Sequence, residues 1–140
     1  MDVFSRKEST SSHNLTYNYY HSPPVSSKKL PNLLFLHGFL DSAEMWSEVA
    51  PRFHSLGYGV LAPDILGFGG SLRPTDPELY NYEDASNDYC ELLDHDDRII
   101  VIDHNWGSAQ ATPILALATR ADIRRSHSIT RLYPSIKGAF

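Results

Sequence analysis

The chain has little cysteine: a single residue, Cys90, in 140. An internal disulfide framework is excluded, so packing has to supply the stability. Cys90 stands beside Leu92 and Leu93 in a helix-like stretch and reads as a small buried side chain rather than a reactive thiol. Long apolar runs are missing too, and no segment suffices to cross a bilayer. The opening "MDVFSRKESTSSHN" lacks the apolar core of a secretory signal, so the expected location is cytoplasmic and the sequon Asn14-Leu15-Thr16 carries no glycosylation expectation. Internal repeats are absent. What remains, with 41% hydrophobic and 21% charged residues, fits one ordinary globular domain.

Positive charge is scarce in the body of the chain. Residues 120–140 hold five of the twelve Lys and Arg (Arg120, Arg124, Arg125, Arg131, Lys137) but only one acid, Asp122. That tail is therefore +4 and residues 1–119 are −9. An acidic body argues against nucleic-acid binding. The basic tail has neither an amphipathic pattern nor an aromatic platform for stacking bases. It shows no convincing buried strand, and it reads as a different kind of sequence joined on.

Three short apolar runs stand out: "NLLFLH" (Asn32–His37), "YGVLAPD" (Tyr58–Asp64) and "RIIVID" (Arg98–Asp103). Continuous rather than alternating, they predict strands buried on both faces. "NLTYNYYH" (Asn14–His21) alternates and predicts a further strand. Between them lie helical patterns. Ser42 can cap a helix carrying Met45, Trp46, Val49, Phe53 and Leu56, although Pro51 would kink or divide it. Tyr82–Asp96 has acids early and an apolar stripe of Tyr82, Ala85, Tyr89, Leu92 and Leu93. Gly107–Thr119 looks helical, but Pro113 is expected to interrupt it. Alternating strands and helices predict an α/β fold, a mostly parallel sheet flanked by helices. The expected organisation is a disordered segment 1–13, a domain over 14–119 and a tail over 120–140 without clear structure.

In such a sheet, chemistry gathers at the carboxyl ends of the strands. The three apolar strands end in "LHGFLDS", "APDILGFGGS" and "DHNWGSA", each a turn with glycine and polar groups. These turns carry a resemblance. The stretch from about Leu15 to Leu117 resembles the N-terminal half of the α/β-hydrolase fold, in the branch of epoxide hydrolases and haloalkane dehalogenases. The family's H-G-F-P loop is matched by His37, Gly38 and Phe39, with Leu40 in place of proline. Its D-x-x-G-F-G-x-S pattern is matched by Asp64, Gly67, Phe68, Gly69 and Ser71. Its G-H-D-W-G-S elbow is matched by His104, Trp106, Gly107 and Ser108. Trp46 also stands at a typical spacing. The fold class is thus a partial α/β-hydrolase fold, read as ending after the nucleophile-elbow helix.

The resemblance implies attack by a carboxylate on an epoxide carbon, followed by hydrolysis of the resulting ester to a diol. It places Asn105 at the nucleophile position, where the branch has aspartate, and Asp103 where the branch has glycine. It assigns the oxyanion-hole N–H groups to Trp106 and Phe39. His37, Gly38, Asp64, His104, Gly107 and Ser108 are structural residues near the site. Asp64 is expected to fix its loop by accepting backbone N–H bonds. After Asn105 only Asp122 and His127 offer an acid and a histidine, too close together to match the family's arrangement. The chain therefore reads as catalytically incomplete. Alternatives are a haloalkane dehalogenase-like or other hydrolase of the same fold, or a non-catalytic fragment that binds a protein partner. No cofactor is expected, and the spacing of Asp64, Asp103 and His104 matches no metal motif. Expected partners are a small apolar epoxide-like substrate if the chain is active, and another copy paired through an exposed sheet edge.

Overall fold

The computed structural model describes residues 5–25, 27, 30–93, 98–120 and 131–132, with the backbone alone for 115–120 and 131–132. The described strands are β1 (Arg6–Thr10), β2 (Thr16–Ser22), β3 (Asn32–Leu36), β4 (Gly59–Pro63), β5 (Ile99–Asp103) and β6 (Arg131–Leu132). They form one sheet in the order β1-β2-β4-β3-β5-β6. β4, β3, β5 and β6 run parallel, while β2 pairs antiparallel with both β4 and β1. The helices are α1 (Ala50–Ser55), α2 (Tyr82–Glu91) and α3 (Gly107–Arg120).

Every residue of β3 and β4 is buried, which is why these strands read as continuous apolar runs. Period-two alternation splits their side chains between two cores. Leu34, Leu36, Leu61 and Val101 pack with Tyr17 and with Ala85, Tyr89, Ala111 and Ile114 of α2 and α3. On the other face Leu33, Phe35, Val60 and Ala62 pack with Ala43 and Ala50, flanked by Trp46 and Phe53. Both faces of β3 and β4 are thus covered, while Ile99, Ile100 and Ile102 of β5, expected to be buried, are half-buried.

Three features differ from the sequence expectations, and the helix after Ser42 decides between two that Pro51 left open. The segment 1–13 contains β1, held by pairing from Arg6↔Tyr20 to Thr10↔Thr16 although most of its residues are exposed. The helix expected from Ser42 is two pieces: a 3-10 turn over Ala43–Trp46, where Ser42 accepts the Glu44 N–H, and then α1. Pro51 stands in the first turn of α1, where its missing N–H costs nothing, so proline divides the pattern rather than bending it. Pro113, by contrast, lies inside α3, and the helix continues past it. Within the tail, Arg131–Leu132 adds a short parallel strand beside Val101 and Ile102. The expected helix end at residues 94–96 and the residues Asp122 and His127 lie outside the described residues.

Candidate active site at the carboxyl end of the sheet

The three turns predicted to carry chemistry meet above the carboxyl ends of β3, β4 and β5. Asp64, at the end of β4, is buried and accepts the N–H of Ala43 (2.7 Å) and of Gly70 (2.8 Å), so it ties its own loop to the 3-10 turn after β3. Arg6 of β1 approaches it at 4.0 Å. Gly69 has φ +52°, and a Cβ there would strike the Asp64 carboxyl group at 2.2 Å, so this position requires glycine.

His37, fully buried after β3, accepts the Ile65 N–H at Nε2 (2.9 Å) and donates from Nδ1 to the Gly38 carbonyl (2.8 Å). These partners specify the neutral tautomer with the proton on Nδ1. Burial pulls the imidazole pKa below its ordinary value, against a smaller upward effect of the Gly38 bond. Both nitrogens are engaged, so His37 joins the β3 loop to the β4 loop.

The elbow follows β5. Asn105 has φ +53°, the strained left-handed conformation of a residue at the tip of a strand-to-helix turn. The turn closes through Gly107 N–H to the His104 carbonyl (3.0 Å) and Ser108 N–H to the Asn105 carbonyl (3.1 Å). His104 is half-buried and donates its own N–H to the Leu36 carbonyl (3.0 Å), which docks the elbow on β3. Close approach demands two glycines. A Cβ on Gly107 would lie 2.5 Å from the Leu36 carbonyl oxygen, and one on Gly38 would lie 2.6 Å from Asn105 Cβ.

The amide oxygen of Asn105 occupies a defined place. It accepts the N–H of Trp106 (2.8 Å) and the N–H of Phe39 (3.3 Å). These are the two donors assigned from sequence to the oxyanion hole, and one side-chain oxygen fills the position they share. Around them Phe39 stacks at a tilt on Trp106 (centroids 5.5 Å) and edge-on against Phe68 (5.8 Å). Phe39 is 54% exposed and Trp106 57% exposed, so the floor of the site is an open aromatic surface.

Asp103 stands where the family pattern has glycine. The structure buries it and gives it the Ser108 hydroxyl as a donor, so the extra carboxylate braces the elbow from β5 to α3. Phe68, which the D-x-x-G-F-G-x-S match gives no role, stands between His37 and Phe39 and forms a wall of the site. A second cluster lies away from the site. His13, Asp88 and Glu91 bring ligand-type atoms within 4.8 Å of one another. Those atoms already have partners: Asp88 binds His13 (2.6 Å) and the Tyr17 hydroxyl (2.9 Å), and Glu91 accepts from Ser12.

A sequence profile of the alpha/beta hydrolase fold matches residues 31–130, which include all three turns. The chain belongs to the α/β-hydrolase fold family. Within the family it is 32% identical over 112 residues to epoxide hydrolase 2 of Siraitia grosvenorii, covering 76% of this chain and 35% of that protein. It is 38% identical over 80 residues to epoxide hydrolase A of Mycobacterium tuberculosis, covering 56% of this chain and 25% of that protein. A haloalkane dehalogenase of Sphingobium indicum is 39% identical over 83 residues, covering 55% and 27% of the respective chains. The α/β-hydrolase architecture is equally plain in three dimensions. Epoxide hydrolase A from Mycobacterium thermoresistibile superposes with a TM-score of 0.74 at 24% identity, over 91% of this chain and 38% of that one. An epoxide hydrolase from Vigna radiata gives 0.73 at 19%, over 94% and 40%. This α/β-hydrolase chain thus spans between a quarter and about a third of the length of these curated relatives. No helix among the described residues is long and apolar enough to cross a membrane.

Proposed function

We propose that the chain carries an epoxide hydrolase-type site in a form that does not turn over. In the reaction named for its relatives, a carboxylate attacks an epoxide carbon, the ring C–O bond breaks, and water then hydrolyses the ester to release a diol. The observation that carries the reading is the state of Asn105. A neutral amide stands where attack would begin, and its oxygen is held by the Trp106 and Phe39 N–H groups. An amide oxygen engaged by two donors has its electron density drawn away from any electrophile. Asp64, Phe39, Trp106 and the two close-approach glycines act in this reading as the retained frame of the site.

The likeness to a haloalkane dehalogenase supports a second substrate class, a haloalkane attacked by the same geometry with loss of halide. One assay tests both. Purified chain is incubated with styrene oxide and with 1-bromobutane, and diol and bromide are followed. Release no faster than the buffer blank is expected for the wild type. Turnover abolished by Trp106→Pro, which removes a backbone donor, would overturn the proposal.

A further inference from the structure

An asparagine at the elbow keeps one acceptor oxygen and puts a donor NH₂ where a carboxylate has its second oxygen. Both groups that contact Asn105 Oδ1 are N–H donors, so the oxygen and nitrogen of this amide are assigned by their partners. Nδ2 is then directed away from the Phe39 and Trp106 N–H groups, and among the described residues nothing accepts its two hydrogens. Asn105 is exposed, and Phe39 and Trp106 flank it with tilted rings, both more than half exposed. The open face thus offers a pair of amide donors beside an aromatic surface. A carboxylate in the same place would offer only acceptors.

The complementary molecule has an acceptor oxygen on a short arm from an apolar or aromatic group. Charge decides its type. Residues 1–119 are net −9, and buried Asp103 and Asp64 stand in the strand and loop that form the site, while His37 is held neutral by its two partners. An anion meets repulsion here that an uncharged carbonyl does not. We propose that the elbow is a binding site for an uncharged carbonyl compound with an aromatic group, its oxygen accepting from Asn105 Nδ2 and its ring lying on Phe39 and Trp106. The inference rests on the non-nucleophilic reading of Asn105 only in that the ligand leaves unchanged.

The test is a titration of the ¹⁵N-labelled full chain with phenylacetamide, following the Asn105 side-chain NH₂, the Trp106 indole and the backbone amides. Saturable shifts at Asn105 and Trp106 are expected, with binding weakened about tenfold or more in Asn105→Asp, where donors become acceptors. In the wild type, phenylacetate is expected to bind more weakly than phenylacetamide. Ethylbenzene, which lacks the oxygen, is expected to leave the Asn105 NH₂ resonances in place. Because these two comparisons use the wild type, they stand even if the variant folds poorly. Absence of saturation at millimolar phenylacetamide, equal binding by Asn105→Asp, or tighter binding of phenylacetate would overturn the proposal. Turnover of styrene oxide in the separate assay would sink the inactive reading without deciding this one.

Discussion

Leu40 sits at φ +62° in the loop after β3, where a leucine pays steric strain and a proline cannot go at all. The family pattern read from sequence has proline there, so this loop takes a different course from its relatives' pattern. Leu40→Pro is expected to destabilise the chain by roughly 2 kcal/mol, read as a lower urea midpoint, because the ring fixes φ near −65°. An unchanged midpoint would mean the loop re-forms along the family's course. Ser108 invites a second test. Its hydroxyl donates to buried Asp103, and Ser108→Ala is expected to cost about 1–3 kcal/mol by removing that donor from a buried carboxylate. Asp103 shows how far single residues were legible. Its identity at a glycine position signalled a departure, but only the fold shows that the departure comes with a partner five residues on. Asn105 is similar: the missing charge was visible in the sequence, whereas the capture of its oxygen by Phe39 and Trp106 depends on two loops meeting in space.

Helix α2 is fastened to the turn between β1 and β2 by charge as well as packing. His13 binds the fully buried Asp88 at 2.6 Å and approaches Asp84 at 3.6 Å, while Glu91 accepts from Ser12 one turn further on. Tyr17 donates to the second Asp88 oxygen from β2 (2.9 Å). The hydrogen bond to Asp88, together with the field of Asp88, Asp84 and Glu91, raises the His13 pKa above 6.5 despite some desolvation. A raised pKa in the folded state means that the contribution is fully present below pH 6.5 and is lost as pH rises through the folded value. The stability difference between wild type and His13→Gln, from urea unfolding at pH 5.5 to 8.5, is therefore expected to shrink as pH increases. A pH-independent difference would assign the staple to packing alone. At this scale β3 and β4 were legible because strands buried on both faces leave an unmistakable apolar run, whereas β5 carries the same run with Ile99, Ile100 and Ile102 only half-buried. β1 was not, since "RKEST" has no apolar face and owes its form to pairing with β2. The divided helix after Ser42 was half legible: Pro51 announced a break, but not that it would open the second piece.

The two edges of the sheet are unlike. β1 closes one side with Arg6, Lys7 and Glu8, charges that discourage pairing with another chain. On the other side the last described strand is β6, two residues long, and it lies beside β5 with its sequence "IIVID". Among the described residues β6 meets it only at Val101 and Ile102, so Ile99 and Ile100 have no β6 residue in register. A short outer strand beside apolar side chains is a place where another strand can add. We expect the chain to associate through this edge, with the weight-average mass rising in sedimentation runs from low to high micromolar concentration. The aromatic floor is the competing surface, since Phe39, Leu40 and Trp106 are all exposed at the carboxyl end of the sheet. The double variant Phe39→Ser/Trp106→Ser separates the two. If the edge is the contact, the variant associates as the wild type does, and the amides of Ile99 and Ile100 exchange with deuterium more slowly in the concentrated sample than in the dilute one. If the variant is monomeric while the wild type is not, the aromatic floor is the contact. A wild type that stays monomeric across the range would remove the edge as an association site, leaving the short β6 strand as sufficient cover.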